Sequence, residues 1–263
     1  MNKELNRAAV SDVFLESWLR QLIGEVDMPA RKIRPSRYSV TGYAPTTKGT
    51  KAQDAESSLE HDFLTLLEYD QRVERYVAQP FTIEWRDSTG AKRRYTPDVI
   101  VKYSYIAMRE DLHLRTTLFE VKPRAVLKAD WLELKPKWRS AIGWAKEFGC
   151  RFHLVTEKEI RTPYLANARF LLDYRSRNLS DRDDLIAARQ HLIARTLAKL
   201  QMTTPKALLE AMSSNLQQQA ELLPWVWNLI NQEFIGVDLF KPLTMASPIW
   251  PTDTIEHLLT GES

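Results

Sequence analysis

The stretch that decides the fold is YTPDVIVKYS, residues 95–104, together with TLFEVKPR, residues 117–124. Both are rich in β-branched and aromatic residues, which indicates two strands. Asp98 stands near the start of the first strand. Side chains two residues apart point to the same face of a strand, so Glu120 and Lys122 project together in the second. If the two strands pair, two carboxylates and one ammonium group meet at one place.

This combination of side chains is typical of phosphodiester cleavage. Two carboxylates held close together repel each other unless a cation lies between them. Mg²⁺, with Mn²⁺ as a possible substitute, is the simplest such cation, because a hard divalent ion binds carboxylate and water oxygens. The ion polarises a phosphoryl oxygen and acidifies a water molecule, and a nearby lysine stabilises the charged phosphate. The alternative is a solvated strand face, since Glu-x-Lys alone is a common tripeptide.

The elements around these two strands follow the order helix, three strands, helix, strand. SSLEHDFLTLLEYD begins a helix at an N-cap serine, Ser57, and RYVAQPFTIEW, residues 75–85, alternates like a first strand. DWLELKPKWRSAIGWAKEFG reads as a helix with a loop-like start, and CRFHLVT as a short fourth strand. The pattern predicts an α/β domain.

The motifs resemble those of a known group of nucleases. PD at residues 97–98 and EVK at residues 120–122 resemble the PD-(D/E)xK motif of restriction-endonuclease-like enzymes. As an ordered set, SLEHDFLTLLEYD, QPF, TPDVIV, FEVKP and HLVTEKEI are similar to the N-terminal domain of TnsA, the endonuclease family of heteromeric Tn7-like transposases. The resemblance extends from about residue 50 to residue 175 and implies a restriction-endonuclease-like core.

The resemblance also implies a set of site residues. Glu60, Asp98 and Glu120 become the acidic metal-site residues and Lys122 the catalytic lysine, and the carbonyl of Val121 becomes a further ligand of Mg²⁺ or Mn²⁺. Glu60 has a second interpretation, as the third-position partner of the N-cap serine in a capping box. One carboxylate can hardly serve both purposes, and a position facing the predicted sheet favours the active site.

Composition excludes several other classes of protein. The hydrophobic share of 44% and the charged share of 27% are those of a globular protein. The charged N-terminus lacks the apolar core of a signal peptide, and no run approaches eighteen apolar residues. A single cysteine excludes an internal disulfide framework and a cysteine-rich zinc site. Together with the resemblance, these features predict a cytoplasmic bacterial protein.

Positive charge is concentrated in the first two thirds of the chain. Residues 28–53 hold six Lys/Arg, no Asp or Glu, three prolines and two glycines, which indicates an extended basic arm. The arm is either a solvated linker or a segment along DNA phosphates, with Arg34 and Arg37 as contacts. Residues 121–139 add six Lys/Arg beside the predicted site. Five of these cations are candidate contacts to the cleaved strand: Arg124, Lys128, Lys135, Lys137 and Arg139.

The chain changes character near residue 175. Three helical patterns follow, at residues 181–200, 204–212 and 216–233, and then a hairpin-like FIGVDLFKPLTMASPIWP. We therefore predict an N-terminal helix and basic arm at residues 1–55, an endonuclease domain at 56–174 and a winged-helix-like domain at 175–263. The last segment holds eight Lys/Arg against ten Asp/Glu, and its third helix is aromatic, which favours protein partners over phosphates.

The leading hypothesis is a Mg²⁺-dependent DNA endonuclease subunit that cuts transposon ends. The resemblance implies cleavage of the strands ending 5′ at the element, beside a TnsB-like DDE transposase that cuts and joins the 3′ ends. It further implies a TnsC-like AAA+ ATPase that contacts the C-terminal domain. The alternatives are a stand-alone repair or restriction nuclease, and a non-catalytic DNA-binding adaptor with a decayed core. An intact set of Glu60, Asp98, Glu120 and Lys122 speaks against decay.

Overall fold

The computed structural model forms two compact units, divided between Arg161 and Thr162. It describes residues 42–44, 47–49, 53–55, 57–175 and 183–260. The predicted N-terminal helix and most of the basic arm, with Arg34 and Arg37, lie outside the described residues. The division falls thirteen residues before the boundary that the sequence predicts.

The first unit is built around a mixed β-sheet. Its helices are α1 (Ser58–Tyr69), α2 (Tyr105–Glu110), α3 (Arg124–Ala129), α4 (Trp131–Glu147) and α5 (Glu157–Ile160). Its strands are β1 (Gly42–Ala44), β2 (Gln53–Ala55), β3 (Val73–Ala78), β4 (Ile83–Arg86), β5 (Lys92–Tyr95), β6 (Val99–Tyr103), β7 (Thr117–Val121) and β8 (Arg151–Val155). Within the described residues the main sheet has the order β3-β6-β7-β8, with β7 and β8 parallel and the other pairs antiparallel.

A long hairpin, broken in both of its arms, places Asp98. The sequence predicts each arm as one continuous strand, and this is wrong, because the arms divide into β3 with β4 and β5 with β6. The breaks contain Pro80 and Pro97, which have no N–H for a strand ladder. Gln79, with a left-handed φ of 48°, donates its N–H to the carbonyl of Asp98 at 2.8 Å. The main sheet therefore ends at Asp98, and β4 and β5 continue as a separate ribbon.

Helices α1 and α4 cover opposite faces of the main sheet. The side chains of β7 alternate, so Leu118 packs in one cluster with Ala145 of α4, whereas the ring of Phe119 lies 5.0 Å from that of Phe63 on α1. The predicted order of helix, three strands, helix and strand is therefore confirmed for the main sheet. Glu120, two residues after Leu118, faces the side of α4.

The C-terminal part of the basic arm is tied to α1 through Glu68. This carboxylate is only 5% exposed. Its Oε1 accepts from the N–H and hydroxyl of Thr47, at 3.0 Å and 2.5 Å, and its Oε2 accepts from the hydroxyl of Tyr76 at 3.2 Å. Because a buried carboxylate without partners is costly, these bonds fix residues 47–49 at the start of the nuclease core.

The second unit consists of helices and a small antiparallel sheet. Its elements are α6 (Pro163–Leu172), α7 (Asp183–Leu200), α8 (Pro205–Met212), α9 (Leu216–Asn231), β9 (Ile235–Val237), β10 (Ile249–Pro251) and α10 (Ile255–Thr260). The three predicted helices and the hairpin-like segment after them are confirmed as elements. No helix of the described segments is long and apolar enough to cross a membrane.

The side chain of Asn167 explains why α6 belongs to the second unit. Its amide donates to the carbonyls of Leu239 and Lys241, at 2.8 Å each. Its Oδ1 accepts from the N–H of Leu243 at 3.0 Å. Asn167 is 5% exposed, so these three bonds satisfy a buried amide and hold the loop after β9 on α6.

Packing in the second unit depends on a glycine in β9. A Cβ at Gly236 would lie 2.6 Å from Cε2 of Trp250, its partner across the two-stranded sheet. We expect Gly236→Ala to lower the free energy of unfolding by about 1–3 kcal/mol, because the indole must move. Gly143→Ala on α4 is the control, since its Cβ meets nothing within 4 Å. That change should raise stability by up to about 1 kcal/mol. Urea denaturation measures the free energy of unfolding of both variants. An unchanged free energy of unfolding for Gly236→Ala would contradict the close contact between Gly236 and Trp250.

Candidate active site

The pairing of β6 with β7 brings Asp98 and Glu120 together. Val99 lies opposite Phe119, so Asp98 and Glu120 are the next residues outward along this ladder. The Nζ of Lys122 lies 3.5 Å from Oε1 of Glu120 and 3.7 Å from Oδ2 of Asp98. The structure thus assembles the acid, acid and lysine group that the sequence indicates, while the catalytic roles of these residues stay predictions.

The backbone of β7 holds the carboxylate of Asp98. The N–H of Val121 donates to Oδ2 of Asp98 at 2.7 Å, and the side chain of Val121 is buried in the core. Glu120 and Lys122 therefore flank the residue that orients Asp98. The two-residue repeat along β7 therefore sets the directions of Glu120 and Lys122, and its backbone N–H holds Asp98.

Glu60 lies at the N-terminus of α1, beside the N-cap serine. The hydroxyl of Ser57 accepts from the N–H of Glu60 at 3.2 Å and donates to Oε1 of Glu60 at 3.1 Å, so the serine does cap the helix. Glu60 is also buried, with 8% exposure, and its negative charge acts on both Asp98 and Lys122. Its role as a metal-site residue stays a prediction.

Burial and mutual repulsion dominate the electrostatics of the site. Burial, followed by the charges of Glu120 and Glu60, raises the pKa of Asp98 well above its usual value, against the opposing effects of Lys122 and the Val121 N–H. Burial alone would lower the pKa of Lys122, but the carboxylates of Asp98, Glu120 and Glu60 outweigh it and raise that pKa. Asp98 therefore binds a proton more readily than an ordinary aspartate, and Lys122 stays protonated.

Two further side chains enclose Glu120, which is only 1% exposed. The hydroxyl of Tyr95 donates to Oε2 of Glu120 at 2.5 Å, and the Nζ of Lys137 lies 3.1 Å from Oε1. Burial, followed by the charge of Glu120, raises the pKa of Tyr95 far above its usual value, so its hydroxyl remains a donor. Tyr95 is not among the predicted site residues, and Lys137 is predicted only as a DNA contact.

A sequence signal for Lys137 does exist. It precedes Ala141 by four residues and Ala145 by eight, and both alanines are buried against the sheet. Helical residues at this spacing share one face, which places Lys137 on the side of α4 that faces the sheet. No comparable periodicity points to Tyr95, which ends β5 just before the break in the hairpin.

The donors at the site fit a hard divalent cation. Across the described residues, no three His, Cys, Asp or Glu side chains form a ready metal-binding group. Mg²⁺ does not require one, because it binds through one or two carboxylates and completes its octahedron with waters and substrate phosphates. Asp98 and Glu120 supply two such carboxylates, and the raised pKa of Asp98 reflects negative charge that a cation would balance.

Among the predicted DNA contacts that the structure describes, Lys137 is partly buried beside Glu120, and the others lie on the surface: Arg124, Lys128, Lys135 and Arg139. Arg124 and Lys128 are exposed on α3, which begins two residues after Lys122. The N–H of Arg124 donates to the carboxylate of Glu157 at 2.9 Å, which fixes the start of that helix. Their contact with DNA stays a prediction, as it does for Arg34 and Arg37 outside the described residues.

The sheet, its flanking helices and the acid, acid and lysine group are those of the PD-(D/E)xK class of nucleases. Residues 70–157 match the family model described as TnsA-like endonuclease N terminal, and residues 159–239 match the one described as TnsA endonuclease C terminal. Together these matches cover more than half of the chain, which belongs to the TnsA family of endonuclease subunits of Tn7-like transposases. No curated protein matches the chain.

The raised pKa of Asp98 predicts a stability gain on removing its charge. Because that pKa exceeds the ordinary 3.8, the folded protein binds the proton more tightly than the unfolded chain, and stability falls as the pH rises above 3.8. We expect metal-free Asp98→Asn, which cannot ionise, to raise Tm by a few degrees at about pH 8 and by less at about pH 4. Thermal unfolding across this range measures the difference.

The matched control for this experiment is Asp253→Asn, which removes one carboxylate from an exposed turn. Its Tm should follow that of the original protein at every pH, because surface charges contribute little to stability. A Tm of Asp98→Asn at or below that of the original protein near neutral pH would contradict the electrostatic description of the site.

Proposed function

We propose that this chain is a Mg²⁺-dependent endonuclease subunit that cleaves the non-transferred strands, those ending 5′ at the element, during cut-and-paste transposition. The observation that carries the proposal is the meeting of Asp98, Glu120 and Lys122 in a chain of the TnsA family. The second family match, at residues 159–239, favours a transposase subunit over a stand-alone nuclease.

Each side chain of the site has a distinct task in this proposal. Asp98 and Glu120 would hold the cation, with Glu60 and the carbonyl of Val121 as further ligands. The bound ion would polarise a phosphoryl oxygen and lower the pKa of a water molecule. Lys122 has a raised pKa and stays protonated at neutral pH, so it acts as a cation for the phosphate oxygens and not as a general base.

Binding of DNA and of protein partners is divided between the two units in this proposal. The basic arm and the exposed cations of α3 contact phosphates near the cleaved bond. The winged-helix-like C-terminal domain contacts the TnsC-like ATPase, and the assembled subunit acts beside a TnsB-like DDE transposase. Exposed aromatic side chains of the second unit, Phe240 at 70% and Trp250 at 36%, support a protein partner for it. We place this assembly in the bacterial cytoplasm.

The decisive test removes both carboxylates in a reconstituted transposition reaction. We expect Asp98→Ala/Glu120→Ala to reduce cleavage of the 5′-ending strands at least about a thousandfold, because the cation loses its ligands. The 3′ ends should still be cut and joined, so the element stays attached to its donor and the product is a replicated fusion. Sequencing both donor junctions separates this product from a simple insertion.

Glu147→Ala, which removes an exposed carboxylate at the end of α4, is the control and should give simple insertions. Simple insertions at the original frequency from Asp98→Ala/Glu120→Ala would overturn the assignment of the site. Gel filtration of the assembled complex establishes beforehand that the variant still joins its partners.

DNA contacts by the arm and by α3 predict a measurable salt dependence. Removing two phosphate contacts lowers the slope of log affinity against log salt by about two. We therefore expect this change for Arg34→Ala/Arg37→Ala and separately for Arg124→Ala/Lys128→Ala, measured on the assembled complex. Arg195→Ala/Lys199→Ala on α7 is the charge-matched control and should leave the slope unchanged. An unchanged slope for either test pair would remove that pair from the DNA interface.

A further inference from the structure

Lys137 occupies a place in the site that the proposed reaction does not explain. Its Nζ lies 3.1 Å from Oε1 of Glu120, and Lys122 also contacts that oxygen, at 3.5 Å. The other oxygen, Oε2, is taken by the hydroxyl of the buried Tyr95. Oε1 is therefore the oxygen of Glu120 that a metal ion would take, and two ammonium groups already stand against it.

The charges at this point cancel. Asp98 and Glu120 carry two negative charges, and Lys122 and Lys137 carry two positive ones, so the four groups are neutral together. A divalent cation is strongly hydrated, and a neutral group of side chains offers it little gain over water. Glu60 adds one negative charge to the surroundings. Loss of Lys137 from the group would leave the site clearly anionic.

The two lysines differ in the number of carboxylates that they contact. Lys122 lies between both carboxylates, at 3.5 Å from Glu120 and 3.7 Å from Asp98. Lys137 has an ion pair with Glu120, and its ammonium lies 5.1 Å and 5.8 Å from the ring centres of Tyr95 and Trp138. The side chains of Lys137 and Lys122 are equally exposed, at 25% and 24%, but Lys137 contacts only one of the two carboxylates, so it can withdraw toward solvent with the loss of a single ion pair.

We propose that Lys137 is a positioning residue that stands in for the divalent cation in the metal-free protein. Its ammonium holds Oε1 of Glu120 until the ion takes that oxygen, and it then turns to a phosphate oxygen of bound DNA. The proposal rests on the proposed metal site. Because DNA offers Lys137 a second anion, DNA and metal strengthen each other's binding, and thermodynamic linkage makes this effect reciprocal.

The test is a titration of the intact metal-free chain with Mn²⁺ in the absence of DNA. Electron paramagnetic resonance measures the free and the bound ion. Lys137→Met keeps the apolar stem beside Tyr95 but removes the charge. A unit charge about 5 Å from a divalent ion in a watery site changes the ion's affinity about tenfold. We therefore expect Lys137→Met to bind Mn²⁺ about tenfold more tightly than the original protein.

Two further variants test whether the change in Mn²⁺ affinity comes from the charge of Lys137. Lys146→Met removes the same charge from an exposed position on the same helix and should bind Mn²⁺ like the original protein. Lys137→Gln retains a hydrogen-bond donor for Glu120 without a charge and should also bind Mn²⁺ more tightly, which covers the case in which Lys137→Met fails to fold. Near-ultraviolet circular dichroism checks the fold of each variant.

The second half of the proposal is tested by repeating the titration with a short duplex whose linkages resist cleavage. DNA should increase the Mn²⁺ affinity of the original protein more than that of Lys137→Met, so the two affinities converge. Equal increases in both proteins would overturn the transfer of Lys137 to a phosphate.

The remaining outcomes separate this inference from the function on which it rests. Equal or weaker Mn²⁺ binding by the folded Lys137 variants, with binding by the original protein intact, overturns the inference alone. Absence of binding in both proteins at millimolar Mn²⁺ overturns the inference and the metal site together. Binding that survives Asp98→Ala would place the ion elsewhere and would contradict the proposed function.

Discussion

The register between β6 and β7 is the constraint on which the rest of the site depends. It places the buried Glu120 and the partly buried Asp98 opposite each other, where their charges repel. Such a pair persists only if other groups balance it. Lys122, Lys137, the hydroxyl of Tyr95 and the N–H of Val121 supply that balance. The candidate site therefore consists of two neighbouring carboxylates and the four groups that compensate them.

The broken hairpin serves the same constraint. By ending the main sheet at Asp98, the break leaves this carboxylate at the rim, with 14% of the side chain exposed. The second part of the hairpin then turns Tyr95 back over Glu120. The left-handed backbone of Gln79 at this point is the kind of local strain that functional sites retain.

The surfaces of the two units differ in charge and in exposed aromatic side chains. The first unit contains the acid, acid and lysine group and the exposed cations of α3, whose charge suits a polyanionic substrate. The second contains a segment in which Asp and Glu outnumber Lys and Arg and in which aromatic side chains are exposed, which suits contact with protein. The two family matches meet at residue 158, close to the division at Arg161. The contacts of Asn167 explain why α6 belongs to the second unit.

The sequence by itself determined the order of helices and strands and the helical character of the second unit. It also determined that Asp98, Glu120 and Lys122 are the candidate site residues. These follow from local rules, because a period of two or of 3.6 residues and the placement of proline and glycine act over a few positions. Only the tertiary structure decided that each hairpin arm is broken, since the alternation of residues in RYVAQPFTIEW continues through Pro80. It alone also brought Tyr95 and Lys137 onto Glu120, from 25 residues before it and 17 after it. Such contacts depend on how distant elements pack, as α4 does on the sheet. A local sequence pattern does not indicate which charged group a packed side chain will contact.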